Sequence, residues 1–196
     1  MKTRIIQKKD FQSISRIWKD SLNYDIYALL GNKIIIKYLN IYFKNKKNLG
    51  FVIERKKNIH GFVLYGNDSK IRNLIKKKYF ILIIKKFIYY LISLNLKKIL
   101  IFIDIIIFIS ISKNLDKQYR YSTELLCIAI DNKIQNKGLG KKLVKQSLLN
   151  NKYFSNFKNI TVRTLNSTPK NIKFYNNLGF KTFKIFYGRT FLKKNL

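Results

Sequence analysis

The stretch that most constrains the fold is an apolar run, Glu124-Leu125-Leu126-Cys127-Ile128-Ala129-Ile130. It is followed by Gln135-Asn136-Lys137-Gly138-Leu139-Gly140 and then by Lys141-Lys142-Leu143-Val144-Lys145-Gln146-Ser147-Leu148-Leu149. The first segment reads as a strand and the last as a helix, with the glycines at the corner between them. Leu139, Leu143, Val144 and Leu148 fall on one broad side of that helix and Lys141, Lys142 and Lys145 elsewhere, so it can cover a sheet. A corner of this kind can hold a phosphate. Its glycines let backbone N–H groups approach an anion with no Cβ in the way, and the helix behind presents unpaired donors and the positive end of its dipole.

Other elements follow the same logic in chain order. Residues 3–6 read as a strand, and Asp10 is placed to cap a helix reaching about Leu22, whose apolar positions Phe11, Ile14, Ile17, Trp18 and Leu22 repeat with the helical period. Trp18 is read as a core anchor. A second helix is predicted over 32–43, burying Ile35, Ile36, Leu39 and Phe43. Residues 49–54 and 59–65 form a hairpin turning at Lys56-Lys57-Asn58, with the lone histidine, His60, at an ordinary strand position. Residues 159–165 are the next strand, Pro169 opens a short helix that Gly179 ends, and 183–186 with 188–192 make a closing pair of strands.

Residues 68–115 alternate apolar blocks with Lys76-Lys77-Lys78, Lys85-Lys86 and Lys97-Lys98. None of the blocks reaches the roughly 18 uninterrupted apolar residues of a membrane span, and Asp104 interrupts the longest. The segment is read as core helices and a lid over a binding site, with contact to an anionic lipid surface as the second reading. A polar connection is expected over 113–122.

With 196 residues, 47% of them hydrophobic, the chain fits one globular domain over 1–196. A single cysteine, Cys127, excludes an internal disulfide and a multi-cysteine metal site, so no metal is expected, and its apolar neighbours make it a buried thiol. The first ten residues turn charged again before a long apolar core forms. With the lone cysteine, this predicts a cytoplasmic protein rather than a secreted one.

The formal charge of +32, from 41 Lys+Arg against 9 Asp+Glu, would ordinarily point to a polyanionic partner. Yet lysines are spread over nearly every segment and alanine stands only at Ala28 and Ala129, as expected when AT-rich coding drives composition. Basicity is therefore read mainly as composition, and no specific nucleic-acid partner is expected. The charge still strengthens nonspecific attraction to anionic lipid or nucleic acid at low salt.

The order strand, Gln135-x-x-Gly138-x-Gly140, helix, strand, helix, then Phe174-Tyr175-Asn176-Asn177-Leu178-Gly179-Phe180 resembles the GNAT superfamily of acyl-CoA-dependent N-acetyltransferases. The resemblance covers most of the chain except 68–115. It implies an α/β fold in which a mostly antiparallel twisted sheet splays between its fourth and fifth strands, flanked by helices, with a helical insertion at about 68–115.

The resemblance also implies acetyl-CoA as co-substrate. Its pantetheine arm would lie along the backbone of Ile128 and Ile130. Its pyrophosphate would lie on the amides of Gln135, Asn136, Lys137, Gly138, Leu139 and Gly140, with Lys137 or Lys141 pairing with phosphate oxygens. Tyr175 matches the tyrosine that protonates the departing thiolate, and Glu124 takes a proton from the amine, directly or through water. Many relatives carry Asn where this chain has Thr168, and Asn166 or Asn171 is then the substitute. Gln135 stands where arginine is commoner.

The function so implied is acetyl transfer to a primary amine of a small molecule, with an amino sugar of surface-polysaccharide synthesis as the favoured acceptor. A protein N-terminus or lysine is the alternative acceptor. A noncatalytic basic module binding nucleic acid or anionic membrane is the alternative of a different class, and a homodimer is compatible with all of them.

Overall fold

The computed structural model describes residues 1–67, 69–111, 122–149 and 151–196. Seven strands form one mixed sheet: β1 (Lys2–Ile5), β2 (Leu49–Arg55), β3 (Asn58–Gly66), β4 (Ser122–Ile130), β5 (Asn159–Leu165), β6 (Lys181–Phe186) and β7 (Arg189–Asn195). Their order is β1-β2-β3-β4-β5-β7-β6. Among the described strands only β4 and β5 pair in parallel, and they do so over a short length, from Ser122 opposite Asn159 to Leu125 opposite Val162. Beyond that the two strands part, while β5 stays paired with β7 along its whole length. The expected splay between the fourth and fifth strands is therefore present.

A bulge in β4 marks the same point. Leu64 faces Cys127 and Tyr65 faces Leu125, which leaves Leu126 as an extra residue on β4. A bulge bends its strand and increases the local twist, which helps separate it from β5. It also shifts the side-chain phase: Leu125 packs on one side of the sheet with Ile128 and Ile130, whereas Leu126, Cys127 and Ala129 pack on the other.

Helices cover both faces. On one lie α1 (Phe11–Ser21), α2 (Ile26–Leu30), α3 (Asn32–Tyr42) and α4 (Ser69–Lys78), whose Ile14, Ile17, Trp18, Ile35, Tyr38, Leu39 and Ile75 are buried against Val52, Phe62 and Leu64. On the other lie α7 (Leu139–Leu148), α8 (Asn151–Phe154) and α9 (Pro169–Asn176), with Leu143, Val144, Phe154 and Tyr175 against Phe51, Val63 and Leu192. Trp18 is 2% exposed, as its helical spacing implied, and Cys127 is a buried free thiol. The remaining helices, α5 (Phe80–Ile92) and α6 (Leu96–Ile111), make the insertion helical, attached to α2 through a small cluster of Leu29, Tyr90 and Phe102.

Several sequence expectations need correction. Asp10 precedes α1 but its side chain caps nothing there. It is buried and bonded instead to the Arg4 guanidinium at 2.7 and 2.9 Å and to the Gln7 N–H at 2.8 Å. Burial raises its pKa, but the Arg4 and Gln7 bonds outweigh that and hold the carboxyl below its ordinary range. An ion pair joining β1 to the start of α1 thus wins over a local cap. The buried side of α3 is Ile34, Ile35, Tyr38, Leu39 and Tyr42, with Ile36 and Phe43 only half-buried.

Helix α2 escaped the periodicity because it is five residues long, and its start is fixed by Asp25, whose carboxylate accepts from the Tyr27 and Ala28 N–H groups. The hairpin turn at Lys56 and Lys57 has positive φ at both residues, 49° and 65°, a geometry usually given to Asn-Gly. The expected connection over 113–122 lies outside the described residues apart from Ser122, which opens β4.

Candidate active site

Where β4 and β5 part, a cavity of about 450 Å³ opens into the molecule. Its walls come from both strands (Glu124, Leu126, Cys127, Ile128, Arg163, Thr164), from α9 and the loop before it (Thr168, Asn171, Tyr175), and from α1 and the loop after it (Trp18, Tyr24, Asp25). The insertion supplies the remaining side through Arg72 and Asn73 of α4, Ile83 of α5, and Asp104 and Phe108 of α6. The insertion thus borders this cavity.

Tyr175 sits at the inner end, packed edge-on against Phe174 and Phe180 with ring centroids 5.1 and 5.8 Å away. Gly179, at φ 85°, reverses the chain after α9, and the Phe180 N–H returns to the Tyr175 carbonyl at 3.1 Å. That left-handed turn, open to glycine at little cost, brings Phe180 back against the tyrosine. Burial pushes the Tyr175 phenol well above its ordinary pKa, with Tyr24, Cys127 and Tyr65 adding to the shift. Its hydroxyl has no hydrogen-bond partner among the described residues. A phenol in this setting stays protonated at neutral pH and keeps its proton available to a ligand atom.

Glu124 lies on the same cavity wall, but it is not alone. Arg163 grips it in a fork, Nε to Oε1 at 2.6 Å and Nη2 to Oε2 at 2.7 Å, with both side chains about one-fifth exposed. The strand register explains the meeting. Glu124 pairs with Thr161, and Arg163, two residues further along β5, shares Thr161's face. Each carboxylate oxygen retains a second lone pair for water or substrate.

The glycine turn lies outside this cavity, at the exposed end of α7. Gly138 is its N-cap in the left-handed region at φ 71°, and Asn136 is also left-handed at 64°. A Cβ on Gly140 would stand 3.4 Å from the Phe174 ring, tight enough that this corner favours the smallest residue. No side chain caps α7, and the N–H groups of Leu139, Gly140 and Lys141 have no acceptor among the described residues. Lys137 and Lys141 are exposed beside them. This chemistry fits a pyrophosphate.

Two groups beside the turn bond within the chain. The Gln135 side chain folds back, its Nε2 donating to the Ile130 carbonyl at 3.0 Å and to Asn132 Oδ1 at 2.6 Å. The Ser21 hydroxyl donates to the same Ile130 carbonyl at 2.9 Å, so that oxygen has both lone pairs engaged. Ile128 lines the cavity, and Ile130 stands beyond it. Among the candidates around the missing asparagine, Thr168 and Asn171 line the cavity and are joined at 3.3 Å, whereas Asn166 accepts from the Thr190 hydroxyl at 2.5 Å and is not part of the wall.

Sequence reasoning missed Tyr24, Arg163 and the Asp104 to Arg189 pair. Arg189, at the start of β7, donates to Asp104 of α6 at 2.5 Å and stacks 3.8 Å over Phe108, which ties the insertion to the sheet beside the cavity. Only Arg163 carried a signal, through its strand period. Trp18 also lines the cavity, and its indole N–H is buried without a partner among the described residues.

Comparison with known proteins agrees with this geometry. Residues 96–182 match the model of the acetyltransferase (GNAT) domain family. No curated protein sequence matches the chain. Among solved structures, a ribosomal-protein-alanine N-acetyltransferase from Brucella melitensis superposes with a TM-score of 0.63 at 12% identity, covering 100% of both chains. An acetyltransferase from Thermus thermophilus gives 0.61 at 12%, covering 100% of this chain and 98% of its own. The Salmonella typhimurium protein yncA, solved with its cofactor acetyl-CoA, gives 0.61 at 14%, covering 99% and 92%. At such identities these structures share the fold, and the family model adds the sequence signature on the segment that bears the turn and Tyr175. Residues 96–182 thus carry the acetyltransferase (GNAT) domain signature, and the chain as a whole has the fold of these solved acetyltransferases.

Proposed function

We propose that the protein transfers the acetyl group of acetyl-CoA to the primary amine of a small molecule, with an amino sugar bound for surface polysaccharide as the acceptor class. The observation that carries this reading is the shape of the cavity. Tyr175 and the Glu124–Arg163 pair meet in one space, and α4, α5 and α6 close its far side with aromatic and cationic groups. The exposed aromatic face of Tyr24 suits a sugar ring, and Arg72 suits an attached phosphate.

In this reading acetyl-CoA supplies the activated acetyl group as a thioester. The first-turn amides of α7 with Lys137 and Lys141 hold its phosphates, and the wedge between β4 and β5 receives its arm beside Ile128, with Thr168 and Asn171 on the opposite wall. Glu124 collects the amine proton, directly or through water, on the lone pair that each oxygen keeps beside its Arg163 bond. Tyr175 gives its proton to the departing sulfur.

Free-thiol release measured with a panel of amines tests the acceptor. Turnover on a nucleotide-linked amino sugar, with polyamines and N-terminal peptides slower, is the expected result. Activity confined to peptides or polyamines removes the amino sugar. Absence of saturable acetyl-CoA binding at millimolar concentration in calorimetry removes the whole reading.

A further inference from the structure

The outward faces of α5 and α6 are apolar. On α5 the exposed side carries Phe80, Ile81, Ile84, Ile88 and Ile92, spaced at three and four residues, with Lys85 among them. On α6 it carries Leu96, Leu100, Ile103 and Ile107 in one stripe. These residues are far from marginal: Ile81 is 70% exposed, Ile92 78%, Leu96 69% and Leu100 65%. The helices lie side by side through a turn at 93–95, and their inner faces are already taken by Tyr90 and Phe102 against Leu29. An exposed apolar surface of this extent on a folded protein marks an interaction site.

Charge decides what covers it. Exposed lysines 77, 78, 85 and 97 border the apolar residues, with Lys98 over the Tyr90 ring at 4.7 Å and Lys86 over the Tyr89 ring at 5.7 Å. The one carboxylate of α5 and α6, Asp104, is spent on Arg189. A second copy of a chain with net charge +32 would bring more positive charge to this face, whereas an anionic headgroup layer would neutralise the lysines while its acyl boundary takes up the isoleucines and leucines. The exposed Tyr89, 60% accessible, suits the same boundary. At 16 residues α6 reaches only about 24 Å, and no described helix is long and apolar enough to cross a membrane, so the hairpin lies on the surface rather than through it.

We propose that the α5–α6 hairpin docks the protein on anionic lipid, with the apolar stripes in the acyl boundary and the lysines at the headgroups. Because Arg72, Asp104 and Phe108 of the same insertion line the cavity, the bound membrane lies next to the active site.

Co-sedimentation of the full chain with phosphatidylcholine vesicles, with and without phosphatidylglycerol, tests this at physiological salt. Binding is expected only with phosphatidylglycerol present. Leu96→Glu with Leu100→Glu lowers partitioning about tenfold or more, since two buried apolar side chains are lost. Lys46→Glu with Lys47→Glu, a greater charge change on an exposed loop outside the hairpin, lowers it less than about threefold. The uncharged pair Leu96→Gln and Leu100→Gln falls between them and isolates the lost apolar contact, and circular dichroism melts verify that every variant is folded. Equal loss in the glutamate pair and the Lys46/Lys47 variant overturns the proposal in favour of nonspecific charge attraction. Absence of vesicle binding overturns it too, and in that case a dimer that the Leu96/Leu100 variants render monomeric identifies a second copy as the occupant.

Discussion

Helices α7 and α6 both mix lysines with branched aliphatic residues, yet they behave differently. In α7 the apolar residues recur on one side, so Leu139, Leu143 and Val144 are buried while Lys141, Lys142 and Lys145 face water. In α6 they fall on every side, so burying Phe102 leaves Leu96, Leu100 and Ile106 outside. The contrast teaches that composition says how much apolar surface a helix has, and period says whether the protein itself can cover it. On the α7 side the chain satisfies its own surface and presents the glycine turn of the candidate site. On the α6 side it leaves surface for something else.

The contrast can be broken at several points, taken from the largest effect down. Leu143→Ala should cost about 3 kcal/mol in urea unfolding, because it empties a fully buried position between α7 and the sheet. A cost below about 1 kcal/mol would mean that α7 is no better packed than the hairpin. Tyr175→Phe should lower turnover about 100-fold while calorimetric acetyl-CoA affinity changes less than about threefold. Equal loss of both would reduce the tyrosine to a packing residue.

Alkaline titration sharpens the comparison further. Tyr65 is buried beneath α7 with its hydroxyl 2.7 Å from Ser147 Oγ, and burial raises its phenol above the ordinary value despite that bond. Above the unfolded value of about 10 the unfolded chain loses this proton while the folded one keeps it, so the contribution is full below pH 10 and fades as pH climbs. The urea midpoint of the wild type should therefore fall more steeply above about pH 10 than that of Tyr65→Phe. A parallel decline in both proteins would show that Tyr65 carries no such linkage. The smallest effect is expected at α6, where Leu100→Ala should change stability by less than about 0.5 kcal/mol in the same urea assay. A loss near that of Leu143→Ala would mean that Leu100 is covered in the protein in solution.

Much of the site was readable because its parts are local. The turn at Gly138 and Gly140, the strand before it and the Tyr175 to Phe180 segment each declare themselves through neighbours in sequence, and the GNAT resemblance joined them. What escaped depends on distant partners. Arg163 is an ordinary strand residue until β4 lies beside it, Asp104 is an interruption in an apolar block until β7 presents Arg189, and Asp10 looks like a helix cap until Arg4 takes it. That the Ile130 carbonyl accepts from Ser21, more than a hundred residues away, is likewise invisible in the sequence.

The sequence by itself determined the strand–turn–helix corner, the alternation of the sheet strands and the excess of positive charge, all of which follow from residue type and period. The tertiary structure alone decided which face of the insertion is buried, which carboxylates are already paired, and where β4 leaves β5 to open the cavity. These depend on register and on long-range contacts, and an apolar helix without a period, like an acidic residue without a neighbour, has no preferred answer until the rest of the chain surrounds it.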